Sequence, residues 1–180
     1  MLGRSGPHVL FVRQTGPTDF KYGAPHALYG CISRYRAPVQ LYEFEDGDLP
    51  SEVITTFAGP YAAFYLGWRS TVCADYESAG ATGCGRTLFG SVDLRNGRIR
   101  TSVEPQTPEP PPPPMALVVT PAGWIAWIAP GSSGAEALFA EDSSGQRTLD
   151  PGPVDRKSLE DNGATVRWSD AGVAHSSVLR

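Results

Sequence analysis

The residues of this chain whose types could do chemistry are three histidines, three cysteines and one short acidic run. His8, His26 and His175 each stand beside a strand-like segment rather than in a polar cluster. A nucleophilic triad needs a histidine to meet a serine and a carboxylate in space, and no Gly-x-Ser-x-Gly elbow nominates the serine. Ser176 and Ser177, next to His175, would point to opposite faces of a strand. No catalytic residue is assigned on this pattern. Glu43, Glu45, Asp46 and Asp48 put four carboxylates within six residues. Calcium asks for about six or more oxygens from a bent loop, and the EF-hand spacing is missing, so the run reads as a solvated hairpin turn. Asp142, Asp161 and Asp170 read as turn formers whose carboxylates accept nearby backbone N–H groups.

Cys73 and Cys84 bracket a Gly-, Ala- and Ser-containing segment, 74–83, that needs its ends tied. A disulfide between them is the expectation, and with it an oxidising compartment, the cell envelope or the exterior. Cys31 stands apart. Three cysteines without a Cys-x-x-Cys pair do not make a four-ligand zinc site, and no phosphate-cradling or dinucleotide motif is present, so no metal and no cofactor is expected. Of the four tryptophans, Trp68, Trp127 and Trp168 read as core. Trp124, directly after Gly123 at a turn, is expected to reach solvent and is the one candidate ligand-surface residue.

The elements that must position these residues are strands. Gly 20 and Pro 17 in 180 residues favour many turns over long helices. Aromatic and β-branched runs recur at 9–12, 27–32, 39–44, 53–57, 62–68, 87–94, 116–120, 124–128, 137–140, 164–168 and 173–179. Asp46-Gly47, Asn96-Gly97, Ser144-Gly145, Asn162-Gly163 and Asp170-Ala171-Gly172 separate them and predict antiparallel hairpins. The residues 105–114 carry a proline run that reads as an extended connector.

Net charge is −4 with pI near 5.3, and no stretch concentrates lysine and arginine as a phosphate-binding surface would, which argues against nucleic acid as a partner. Thirteen of the fifteen basic residues are arginine, which reads as base composition rather than anion recognition. No apolar run reaches the length of a membrane-spanning helix, about 18 residues.

The pairs Leu41-Tyr42, Leu88-Phe89 and Leu138-Phe139 recur at spacings of 47 and 50 residues, each ahead of an acidic, Gly-containing turn. Such a period, with four short strands per unit, is a signature of propeller blades. Within 118–149, Thr120-Pro121-Ala122-Gly123-Trp124-Ile125-Ala126-Trp127, then Phe139-Ala140-Glu141-Asp142 before a Gly turn, and Leu149 resemble the TolB-type, WD40-like propeller repeat. That resemblance implies an all-β, β-propeller-like array of four-stranded antiparallel blades in one domain, 1–180. The blades would span 20–57, 58–104, 116–152 and 153–180, the last completed by residues 8–13. The alternative is a fragment of a larger propeller. The resemblance further implies a non-catalytic scaffold that binds a protein or small ligand through its loop faces. A propeller hydrolase, or the accessory domain of a hydrolase with a site at the channel mouth, is the second reading.

Overall fold

A computed structural model describes residues 3–5, 8–15, 26–31, 37–44, 50, 52–69, 85–103 and 113–180. These residues form four antiparallel sheets, each a meander of strands in chain order. Sheet 1 is β1 (Gly3–Ser5), β2 (His8–Gln14), β3 (His26–Cys31) and β4 (Val39–Phe44). Sheet 2 is β5 (Glu52–Ala58), β6 (Tyr61–Arg69), β7 (Gly85–Asp93) and β8 (Arg98–Ser102). Sheet 3 is β9 (Ala116–Val119), β10 (Ile125–Pro130), β11 (Glu136–Asp142) and β12 (Gly145–Asp150). Sheet 4 is β13 (Glu160–Asn162), β14 (Thr165–Asp170) and β15 (Val173–Val178). The expected all-β character is the observed one. One 3-10 turn, Arg156–Ser158, precedes sheet 4, and none of the sheets closes on itself. Among the described residues no helix is long and apolar enough to cross a membrane.

Two strands sit elsewhere than the repeat spacing predicts. Residues 9–12, expected to complete the last blade, lie in β2 between β1 and β3, in the register Val9↔Cys31 and Phe11↔Tyr29. The Phe11 and Tyr29 rings stack at 5.5 Å across that pairing, and sheet 4 has three strands. Residues 53–57, expected to end the first blade, instead open sheet 2, with Val53 opposite Leu66. The reason is local: Gly59-Pro60 turns β5 straight back into β6, with Gly59 at φ +54, so these two strands must be neighbours. The strands β8, β12 and β13 escape a hydrophobicity reading because at least one face of each is polar and exposed. Cys73, Cys84 and most of the proline connector lie outside the described residues.

The core consists of three layers between four sheets. The strand β6 alternates: Ala62, Phe64 and Leu66 meet Leu10 and Leu28 of sheet 1, while Ala63 and Tyr65 meet Ile125 and Trp127 of sheet 3. The strand β10 repeats the device, sending Ala126 and Ile128 toward Val166 and Trp168 of sheet 4. Strands with no solvent face are therefore continuous apolar runs rather than alternating ones, which is why 62–66 and 124–128 are so legible. Between sheets, the close backbone approaches fall mainly on the first strands, β1 with β5, β5 with β9 and β9 with β13. The first strands of successive sheets thus lie near one another.

Trp127 is the central member of the middle layer. It packs edge-on to Phe89 at 5.0 Å and stacks on Phe139 at 5.7 Å. Replacing it with alanine is expected to cost about 3–5 kcal/mol in chemical denaturation. The exposed Val173→Ala is expected to change stability by less than about 0.5 kcal/mol; equal effects would contradict the layered core.

Candidate functional site

The β7–β8 hairpin carries the most chemically distinctive cluster of the described surface. Its sequence, Asp93-Leu94-Arg95-Asn96-Gly97-Arg98-Ile99-Arg100, holds three arginines in six residues. The turn is built by Asp93, whose Oδ1 accepts the Arg95 N–H at 2.9 Å, and by Gly97 at φ +74, whose N–H reaches the Asp93 carbonyl at 2.8 Å. Asn96 Oδ1 then accepts the Arg98 N–H at 2.8 Å and starts β8. Leu94 leaves the turn and buries itself beneath sheet 1 beside Leu10, which fixes the hairpin to the body of the protein.

Asp93 is clasped by the guanidinium of Arg95, which donates from Nε at 2.8 Å and from Nη2 at 2.6 Å. These bonds hold the Asp93 carboxyl below its usual pKa, against the opposing effect of burial. The Arg95 Nη2 also reaches the Tyr61 hydroxyl at 3.3 Å. Arg95 and Asp93 thereby neutralise each other.

Beside this clasp runs an open groove of about 530 Å³, lined by Tyr61, Asp93, Asn96, Arg98, Ile99 and Arg100. A β-bulge shapes its wall. Val92 faces Ile99 and Ser91 faces Thr101, so Arg100 is the extra residue of β8. The bulge aims Arg100 at sheet 3, where its guanidinium lies over the Trp124 ring at 3.9 Å from the centroid. The neighbouring turn accommodates this approach because residue 123 is glycine. At φ +87, a Cβ there would meet both Arg100 Cγ and the Tyr61 ring at 2.7 Å. Ser91 anchors the same turn by donating to the Gly123 carbonyl, and its hydroxyl lies 2.9 Å from Thr101 Oγ1.

Among the described residues, no carboxylate lies within ion-pair distance of Arg98 or Arg100. Stacking uses only the face of the Arg100 guanidinium, so its in-plane donors stay free for an anion. The groove therefore presents two cationic forks, a phenol, an amide and the half-exposed apolar side chain of Ile99. It has the donors and charge to hold carboxylate or phosphate groups.

Sheet 3 repeats the clasp in a closed form. Asp142 ends β11 as Asp93 ends β7, and its Oδ1 accepts the Ser144 N–H at 2.9 Å. Arg147 donates to both carboxylate oxygens, at 2.6 and 2.7 Å. The Arg180 N–H adds a bond to Oδ2 at 3.1 Å, and Ser143 N–H returns one to the Arg180 carbonyl. The Asp142 side chain is 1 % exposed. These donors, Arg147 first, lower its pKa from 3.8 to about 2.

The sequence-predicted residues fall as follows. Trp124, expected at the surface, is 9 % exposed and belongs to the core. The solvent side of its ring is covered by Arg100, so it supports the groove from below rather than presenting itself to a ligand. Trp127 and Trp168 are core, and Trp168 donates its Nε1–H to Asp150 at 2.7 Å. Of Trp68 only the backbone is described, within β6 opposite Arg86. His175 is exposed and lies flat on Trp168. His26 is on β3 with its Nδ1 buried and unbonded, and His8 is described only as backbone of β2. Ser176 and Ser177 pair with Arg167 and Val166, on alternate faces. Glu43 is exposed on β4 and accepts a bond from Gln40 at 3.5 Å, whereas Glu45, Asp46 and Asp48 lie outside the described residues. Asp161 is exposed on β13, and Asp170 has a buried Oδ1 without a partner. Cys31 is a half-buried free thiol on β3.

The groove residues Arg98, Ile99 and Arg100 are the ones that sequence reasoning misses. The signal was the local density of arginine at 95–100, hidden by a composition read over the whole chain. No family model matches this chain, and neither a curated protein nor a solved structure matches it.

The clasp on Asp142 sets a pH dependence. Its folded pKa is depressed, so the stabilisation is complete above the unfolded value of 3.8 and is lost as pH falls toward about 2. The loss is expected to be about 2 kcal/mol. Asp93, shifted the same way, adds to the same slope. Denaturation curves collected between pH 5 and pH 2 should show this decline, and Asp142→Asn should flatten it; an unchanged slope in the variant would refute the assignment.

Proposed function

We propose that this chain is a run of propeller-type blades serving as a non-catalytic binding scaffold, with its ligand seated in the groove beside β8. The observation that carries this reading is the pair of guanidiniums, Arg98 and Arg100, which among the described residues have no carboxylate within ion-pair distance, on a groove wall shaped by the β-bulge. The bulge, the glycine at 123 and the Ser91 anchor all serve to bring Arg100 over Trp124 at the junction of two sheets. The nearness of the first strands of successive meander sheets supports the propeller arrangement. So does the resemblance of 118–149 to the TolB-type repeat. On this reading the blades are wedges, and junctions between their loop ends are natural sites for binding residues.

Glutarate, a simple dicarboxylate, tests the groove. Titrated into isotopically labelled protein, it is expected to shift amide resonances of Tyr61, Asn96, Arg98, Ile99 and Arg100 together, with one dissociation constant. The absence of shifts there, or shifts scattered over the surface, would sink the proposal. The oxidising compartment proposed with it is tested by peptide mapping of protein from its native host. Cys73 and Cys84 are expected in one disulfide-linked peptide, with Cys31 recovered as a thiol; three free thiols would remove that compartment.

A further inference from the structure

Taking the groove as a binding site, we infer that its ligand is an acidic peptide segment that lies extended along the free edge of β8 and adds a strand to sheet 2. The strand order β5-β6-β7-β8 leaves β8 at the edge, and among the described residues no strand pairs with its outer side. Its unpaired N–H and C=O groups are a template for another strand. The groove is lined by the consecutive residues Arg98, Ile99 and Arg100. The bulge at Arg100 interrupts the alternation of faces, and the three side chains line one continuous stretch beside the strand. The ladder would begin beyond Arg98, whose N–H is already taken by Asn96.

Charge decides the kind of strand. Arg98 and Arg100 flank Ile99, which is 48 % exposed, so the edge offers cation, apolar side chain, cation in sequence. A peptide alternating acidic with apolar or small residues matches it. A second copy of this edge does not, because it would set arginine against arginine. Five residues of β8 span roughly 17 Å, enough for a peptide of a few residues but more than one small anion can use. A single anion would engage one fork or both and leave the backbone groups of the edge unpaired.

The probe is a fluorescein-labelled peptide of about eight residues alternating glutamate with valine or threonine, titrated into the full chain and followed by anisotropy. Saturable binding is expected, with affinity falling about tenfold or more in the Arg98→Gln/Arg100→Gln double variant. Circular dichroism of the variant checks that it folds. A second peptide of the same charge, N-methylated at every residue, cannot donate backbone hydrogen bonds and is expected to bind about tenfold more weakly. If it binds equally, the contact is charge alone and strand addition is overturned. If glutarate shifts the groove amides but neither peptide binds, the groove remains a small-anion site and this inference fails alone. If neither glutarate nor peptide binds, both readings fall together. A lysine-for-glutamate peptide that binds as well as the acidic one would overturn the charge argument.

Discussion

The rest of the structure depends on the burial of β6 and β10 on both faces at once. A strand between two neighbouring sheets cannot alternate apolar with polar; it must alternate by size and by partner. The strand β6 does so with Ala62, Phe64 and Leu66 on one side and Ala63 and Tyr65 on the other. Aromatic rings then carry the contact from sheet to sheet. Tyr65 meets Phe89 edge-on at 5.8 Å, Phe89 meets Trp127, and Trp127 stacks on Phe139. Each ring buries a large area and locks the angle between its neighbours, so the position of one sheet on the next is specified by shape as well as by area. Among the described residues no further strand pairs with the outer strands, and polar residues stand on them.

The two aspartate clasps show one device put to different ends. In sheet 3 the chain itself covers Asp142, through Arg147 and the backbone of Arg180, and the carboxylate is almost wholly buried. Burial removes competing water and strengthens the bonds there, while desolvation of the carboxylate opposes them. In sheet 2, Asp93 is clasped by an arginine that is half exposed, and the space beside it stays open. Each of the three four-stranded sheets also has one bulge between its last two strands, with the extra residue on the outermost. In sheets 1 and 3 that residue is Leu41 or Leu149, packed onto the core. In sheet 2 it is Arg100, which covers Trp124 instead. A position used elsewhere for packing here carries a charge, and that exchange is what distinguishes sheet 2.

How much of this the sequence discloses follows from the same physics. The two-sided strands were legible because an unbroken apolar run bounded by turns has few other readings. The antiparallel meander was legible from Asn96-Gly97, Ser144-Gly145 and Asn162-Gly163. Strand grouping was not, because the spacing of Leu-aromatic pairs marks the period of a repeat and leaves its starting point free. The Gly59-Pro60 turn decided that β5 opens a sheet, and residues 9–12 follow β1 rather than sheet 4. Trp124 was misplaced because a residue after a turn glycine is usually near the surface. What covers it is an arginine from a different sheet, delivered by a bulge, and neither a bulge nor a contact across 24 residues is written in local periodicity.

The electrostatics of the groove run against those of the whole. The chain carries a net charge of −4, so at distances beyond a Debye length, roughly 8 Å at physiological salt, it repels an acidic partner weakly rather than steering it in. On the proposed reading, attraction begins only when the ligand comes within reach of Arg98 and Arg100, with the Asp93 carboxylate of the groove lining already clasped by Arg95. Selection under these conditions cannot rest on long-range charge. It must come from close fit, through forks that demand planar oxygen pairs and an edge that demands extended backbone. On the proposed reading, that close fit is what the backbone irregularity at Arg100 serves.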